Sequence, residues 1–295
     1  MLPALSRRAI LGSLAIFCAG VSPTVAQTPP SPTLYFSAIP DEDETKLTAR
    51  FTKVAAYLSK ELGFSVQYIP LKSYPASVTA FKNDQIQLAW FGGLTGVQAQ
   101  RSVPGSQAIA QGEEDKAFVT YFITNTTTGI AASADLPKDI GGKTFTFGAK
   151  TSTSGRLMPE FYLRKAFGKS PDEIFSKVGY SGDHTKTVEL VQSGAFDVGA
   201  VNYSSFDDMV KNGKADPTKV KIIWKTPAYP DYNWTIRGDV DKRFGAGTLD
   251  KVRAAILGMK DPELLQAFPR KSFIPAGNAD YAPIEDTAKQ LGLLD

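Results

Sequence analysis

The run Lys150-Thr151-Ser152-Thr153-Ser154-Gly155 places three consecutive hydroxyls between an alternating apolar stretch, Thr144-Phe145-Thr146-Phe147, and an amphipathic one carrying Leu157, Phe161, Tyr162, Leu163 and Phe167. Read physically, a strand ends, hydroxyls follow and a helix begins. The first backbone N–H groups of a helix lack partners within it and its dipole is positive there, so such a start favours an anion. The hydroxyls add donors. A plainer account of the same residues is an ordinary N-cap, because Ser and Thr are preferred at that position. What surrounds the run decides between the two.

Leu34 to Ile39 reads as a strand. Leu47, Phe51, Val54, Ala55, Leu58 and Leu62 then follow helical spacing, with Asp41 to Glu44 ahead and Gly63 behind. Phe64, Val66 and Tyr68 alternate as a second strand. A short helix around Val78 and Phe81 leads to a third strand, Ile86 to Phe91, then Gly92-Gly93 and another helix. Strands alternating with helices indicate βαβ units and a mostly parallel sheet.

A shift of 110 residues repeats this order: Leu157 and Phe161 fall on Leu47 and Phe51, Val188 and Val191 on Val78 and Phe81, and the strand Phe196 to Val201 on Ile86 to Phe91. The match concerns register and topology, since identity between the halves is low. It predicts two similar α/β lobes. Ligands of open α/β sheets bind beyond the carboxyl ends of the strands. Those ends hold Asp41 to Glu44, Tyr74 and Phe91 in one half, and Ser152 to Ser154, His184, Asn202 and Tyr203 in the other. Tyr74 and His184 thus face each other from equivalent places. Four carboxylates at Asp41 to Glu44 would repel an anion, so the anion belongs at the neutral hydroxyls. Helix capping and solvation are the simpler role for the acidic run.

Residues 1–26 read as a leader, with Arg7-Arg8 ahead of the apolar stretch Ala9 to Val21 and a small-residue cleavage site at Thr24-Val25-Ala26. Ser6-Arg7-Arg8-Ala9-Ile10-Leu11 also resembles a twin-arginine export signal. Removing this segment takes the net charge from +3 to +1 and takes with it the one cysteine, Cys18. No thiol nucleophile, disulfide or thiolate ligand then remains, and one histidine with oxygen ligands poorly supports a metal. A near-neutral chain without a basic stripe excludes a nucleic-acid footprint. The expectation is an exported, soluble, monomeric protein without a cofactor.

Leu136-Pro137-Lys138-Asp139-Ile140-Gly141-Gly142-Lys143-Thr144-Phe145, Ser152-Thr153-Ser154-Gly155 and Ser181-Gly182-Asp183-His184 together resemble the phosphonate, phosphite and selenate branch of periplasmic ABC-transporter binding proteins. Ser37-Ala38-Ile39-Pro40-Asp41-Glu42-Asp43 and Tyr232-Asn233-Trp234-Thr235 are most similar to the subgroup named for selenate. The resemblance covers essentially all of residues 27–295. It implies an α/β type II periplasmic-binding-protein fold, two lobes joined by crossing strands and closing on a cleft. The first lobe would take residues 27–124, the second 125–226, and the returning part of the first 227–295, including the second crossover. It puts Ser152, Thr153 and Ser154 on the oxyanion, His184 across from them, and Tyr74 on the facing lobe. Asn202-Tyr203 falls where related phosphonate binders can present an acidic residue. Trp90, Phe91 and Tyr232 would wall a small cavity, although core packing is the simpler role for Trp90 and Phe91. An inner-membrane permease is the implied partner.

Two other readings use the same residues. One is a same-fold receptor for a different solute. The other is a secreted hydrolase using Ser154 or Ser181 with His184, but neither serine sits in a G-x-S-x-G elbow. Among oxyanions, a site of donors without a placed carboxylate favours a fully deprotonated dianion, selenate or sulfate, whose binding should strengthen as His184 protonates below about 6.5. Asp183 and Asp231 are the residues able to reverse that preference.

Overall fold

The computed structural model describes residues 32–294; the leader expected at residues 1–26 lies outside the described residues. The chain forms two sheets. The first contains β1 (Leu34–Ala38), β2 (Val66–Tyr68), β3 (Leu88–Phe91), β4 (Gln107–Gly112), β10 (Asn233–Ile236) and β11 (Phe273–Pro275), in the order β11-β4-β10-β3-β1-β2. The second contains β5 (Thr120–Asn125), β6 (Thr144–Phe147), β7 (Lys177–Tyr180), β8 (Val198–Asn202) and β9 (Val220–Lys225), in the order β7-β6-β8-β5-β9.

The 110-residue register appears as topology. In each lobe a central strand pairs in parallel with two others: β1 with β2 and β3, and β6 with β7 and β8. Helices follow these strands in the same order. After β1, β2 and β3 come α1 (Glu44–Leu62), α2 (Tyr74–Lys82) and α3 (Gly93–Ser102). The second lobe has α4 (Met158–Phe167) and a short α5 (Pro171–Ile174) after β6, α6 (His184–Gln192) after β7 and α7 (Tyr203–Lys211) after β8. Tyr74 and His184 each open their helix, behind the caps Ser73 and Asp183. One detail departs from the expected plain helix start. Thr153–Leu157 is a single π-helical turn leading into α4.

The fourth strand of each lobe is antiparallel and arrives from the other side: β5 beside β8, and β10 beside β3. Because β5 belongs to the second sheet, the chain leaves the first sheet after Gly112, several residues before the expected boundary at 124. Residues 113–119 and 226–232 are the two crossovers, and they run side by side. Phe118 and Tyr229 exchange N–H to carbonyl bonds of 2.9 and 3.0 Å, and the Asp231 N–H donates to the Asp115 carbonyl at 3.0 Å.

Each lobe has its own core. In the first, Phe36, Phe51, Trp90, Trp234 and Phe268 interlock with ring centroids between 5.2 and 6.1 Å apart. In the second, Phe122, Phe145, Phe147, Phe175 and Trp224 fill one face of the sheet, and Val188, Val191, Val201 and Phe206 the other. Strands covered on both faces are apolar throughout rather than alternating, as in Leu88-Ala89-Trp90-Phe91. At the hinge, the buried Arg270 guanidinium grips the buried Asp115 carboxylate in a two-pronged pair of 2.7 and 2.6 Å. Such a pair adds little net stability, but removing one partner strands a buried charge. Among the described residues, no helix is long and apolar enough to cross a membrane.

Candidate functional site

The hydroxyl run forms because β6 ends at Phe147 and the chain must turn tightly into α4. Gly148 and Gly155 make that possible by backbone contact: the Gly148 N–H donates to the Gly155 carbonyl at 2.8 Å. A Cβ on Gly155 would lie 3.1 Å from the Gly148 Cα, 3.0 Å from the Ser152 Oγ and 3.2 Å from the His184 Cε1. Gly155→Ala is therefore expected to push the hydroxyl run away from His184, costing roughly 1–3 kcal/mol of stability together with ligand affinity. Chemical denaturation and calorimetry on the same sample would check both.

Ser152, Thr153 and Ser154 are all buried. Ser152 caps the turn, its Oγ accepting from the Gly155 N–H at 2.9 Å. Thr153 reaches the other lobe, where its Oγ1 accepts from the Leu94 N–H at 2.9 Å. Ser154 Oγ lies 3.4 Å from the His184 Nε2, and its carbonyl accepts from the Thr120 hydroxyl at 2.8 Å. The Tyr74 hydroxyl is buried beside Ser152, without a well-formed hydrogen bond among the described residues. Ser152 thus caps the turn while Thr153 bridges to the other lobe.

His184 is buried, and its Nδ1 accepts from the Asn202 backbone N–H at 3.3 Å. That bond assigns the ring proton to Nε2, which makes the imidazole a donor toward Ser154 and the cleft. A hydrolytic dyad needs the opposite arrangement, with Nδ1–H held by a carboxylate and Nε2 free to take the serine proton. Ser181 spends its hydroxyl on the Asp183 carbonyl at 2.8 Å. Burial pushes the His184 pKa down to about 3. The expected strengthening of binding through His184 protonation below 6.5 is therefore corrected, because the ring stays neutral from pH 8 to pH 5. Its NMR resonances, those of the chain's single histidine, should not titrate across that range. A midpoint near 6.5 would contradict the assignment. The sign for stability follows. Below its ordinary pKa the unfolded chain takes up a proton that the folded chain refuses until about pH 3, so this group costs stability as pH falls from 6.5.

The premise of a carboxylate-free site also fails, which removes the argument for selenate or sulfate. Asp231, on the second crossover, is buried in the cleft. Its Oδ1 accepts from the Gly93 N–H at 2.9 Å, while Oδ2 is buried without a hydrogen-bond partner among the described residues. Burial pushes this carboxyl up to about 7, opposed by the Gly93 N–H and the nearby Thr153 and Ser154 hydroxyls. Gly92 permits the approach, since a Cβ there would come 3.2 Å from the Asp231 Oδ1 and 3.3 Å from the Thr153 Oγ1. Asp183, the other carboxylate in question, turns outward to cap α6 through the Lys186 N–H at 2.7 Å.

The remaining candidates divide. Tyr232 reaches the cleft edge, donating to the Asp41 Oδ2 at 2.8 Å and accepting from the Asn202 Nδ2 at 3.0 Å, with its ring stacked on Trp90. Asn202 also caps α7, its Oδ1 accepting from the Ser205 N–H at 2.6 Å. Phe91 is buried edge-on against Phe81 beneath α2, and Tyr203 packs on Phe118 at the hinge. Of the acidic run, Asp43 caps α1 as expected, whereas the Glu42 side chain is largely buried in an ion pair with Arg50 at 3.2 Å rather than solvated. Asp41 differs. It turns into the cleft, where burial and neighbouring Glu42 push its carboxyl up to about 7.

Fold and site together define a two-lobed solute-binding protein with a donor-rich cleft, edged by two carboxyls, between the lobes. Residues 36–281 match the family described as ABC transporter, phosphonate, periplasmic substrate-binding protein, and the chain belongs to that family. It is 38% identical over 265 residues to PhnD1 of Prochlorococcus marinus (strain MIT 9301), a probable phosphite-binding protein of an ABC transporter, covering 88% of this chain and 89% of that one. The structure of PhnD1 in complex with methylphosphonate superposes with a TM-score of 0.85 over 89% of this chain and 99% of that chain. A phosphonates-binding periplasmic protein of Escherichia coli (strain K12) is 25% identical over 67% of this chain and 58% of its own length. The family is the substrate-binding component of a periplasmic importer, not an enzyme.

Proposed function

We propose that this chain captures phosphite or a small phosphonate with one proton held between the ligand and Asp231, and delivers it to the permease of its ABC importer. The observation that carries the choice is the buried, unpartnered Asp231 Oδ2 beside a cluster of donors. A phosphite or phosphonate monoanion brings an O–H, for which that oxygen is the acceptor. Sulfate and selenate bring none near neutral pH, so their oxygen would meet a carboxylate oxygen unless a proton were first drawn onto Asp231. An unmatched buried polar group costs roughly 1–3 kcal/mol, more when charged. The resemblance to PhnD1, whose structure holds methylphosphonate, supports the same ligand class.

In this reading Ser152, Thr153, Ser154, Tyr74 and the His184 Nε2–H donate to the remaining oxygens. The two lobes, each supplying donors, shut on the ligand by bending at residues 113–119 and 226–232. The protein works as an exported monomer whose leader is of the Sec or twin-arginine type.

A thermal-shift panel of phosphite, methylphosphonate, phosphate, sulfate and selenate tests the proposal. A ligand that binds only the folded state raises apparent stability by roughly 2.7 kcal/mol at a hundredfold excess over Kd. Phosphite or methylphosphonate should give the largest shift. No shift with either would overturn the reading.

A further inference from the structure

We propose that Asp41, Tyr232, Asn202 and His184 form a closing latch, a ring of four hydrogen bonds built only from protein atoms, that sets how long the cleft stays shut. The ring can be followed bond by bond. The His184 backbone N–H donates to the Asp41 carbonyl at 3.0 Å. The Tyr232 hydroxyl donates to the Asp41 Oδ2 at 2.8 Å. Asn202 Nδ2 donates to that hydroxyl at 3.0 Å, and the Asn202 backbone N–H returns to the His184 Nδ1 at 3.3 Å. Asp41 belongs to the first lobe, His184 and Asn202 to the second, and Tyr232 to the crossover between them. Closing the cleft completes the ring; opening it separates Asp41 from His184.

Two members are held in orientation by contacts outside the ring. The Asn202 Oδ1 accepts from the Ser205 N–H at the start of α7, which turns the amide so that its NH2 faces Tyr232. The Tyr232 ring stacks on Trp90 at 5.5 Å, which fixes where its hydroxyl points. Tyr232 can donate only one proton, and the Asp41 carboxylate takes it, leaving an oxygen lone pair for Asn202. His184 joins latch to ligand site. Its backbone and Nδ1 are in the ring, while its Nε2–H faces Ser154 and the anion position. Tyr232, Asn202 and Asp41 are thus positioning residues that act through His184 and through closure. The inference rests on the cleft being the oxyanion site, but not on which oxyanion fills it.

Tyr232→Phe isolates the effect, since it keeps the stack on Trp90 and removes only the hydroxyl. Nitroxide labels on cysteines replacing the exposed Lys60 and Lys169, in a chain with Cys18 replaced by serine, report lobe separation by pulsed electron paramagnetic resonance without ligand. The Tyr232→Phe chain should shift toward longer distances. With methylphosphonate and phosphite, stopped-flow dissociation should speed up by roughly tenfold for both, the worth of one hydrogen bond to a charged group, with their affinity ratio unchanged. Asp41→Ala added to Tyr232→Phe should add little, because the ring is already broken. An unaltered distance distribution, or a changed preference between the two ligands, would overturn the latch. The label distances test the latch even if neither oxyanion binds, an outcome that would instead sink the ligand reading.

Discussion

A Thr153→Asp protein is expected to lose oxyanion binding by about a thousandfold or more and to melt at a lower temperature, because the new carboxylate is buried near Asp231. Two features limit the structural cost. A carboxylate at the start of a helical segment is favoured by the dipole, and it still offers an oxygen to the Leu94 N–H that Thr153 Oγ1 now satisfies across the cleft. What changes is charge. Two negative charges about 4 Å apart repel by roughly 4 kcal/mol at the effective dielectric of a partly enclosed site, and roughly 1.4 kcal/mol is tenfold in affinity. Calorimetry gives the affinity, and circular dichroism with a melting curve shows that the fold is intact. Undiminished binding by a folded Thr153→Asp chain would remove the hydroxyl run from the anion site.

Asp231→Asn should exchange the ligand preference rather than abolish binding. The amide oxygen can keep the bond from the Gly93 N–H that the Asp231 Oδ1 now accepts. The other position changes from an acceptor to an N–H donor. A protonated phosphite or phosphonate then loses its acceptor, whereas sulfate and selenate lose their repulsion. With roughly 1–3 kcal/mol at stake on each side, the ratio of methylphosphonate to sulfate affinity should fall by about a hundredfold. The wild-type pH dependence has a matching sign. Because the Asp231 carboxyl is pushed up to about 7, sulfate binding that needs its proton weakens as pH rises through that value. An unchanged ratio in Asp231→Asn would mean that the carboxylate does not face the ligand.

Much of this architecture was legible as register. Leu47 with Leu157, Phe51 with Phe161 and Tyr74 with His184 share a spacing of 110 because both lobes repeat one strand–helix order, and burial enforces helical and strand periods in each. The hydroxyl run was legible for the same reason: it sits where a parallel strand ends and a helix begins. Asp231 was harder to place. It lies in Pro227 to Asn233, where no periodicity fixes which way a side chain turns. Its inward direction comes from the backbone bond to Asp115, more than a hundred residues earlier. Asp41 was read with its charged neighbours as a solvated cap. That description suits Asp43, and composition cannot separate one carboxylate of four. Phe91 and Tyr203 lie beside the right strand ends, but the face each ring takes is decided by Phe81 and Phe118, partners that local sequence does not reveal. The His184 protonation argument used the free-residue pKa, which burial removes.

The most direct measurement is competition calorimetry at about pH 7.5, titrating sulfate and selenate against protein loaded with methylphosphonate, and then phosphite against the same complex. If the unpartnered Asp231 oxygen receives the ligand's proton, phosphite and methylphosphonate should each bind at least about tenfold more tightly than either sulfate or selenate, the lower end of what an unmatched buried polar group costs. Sulfate or selenate displacing methylphosphonate at equal or lower concentration would contradict the account.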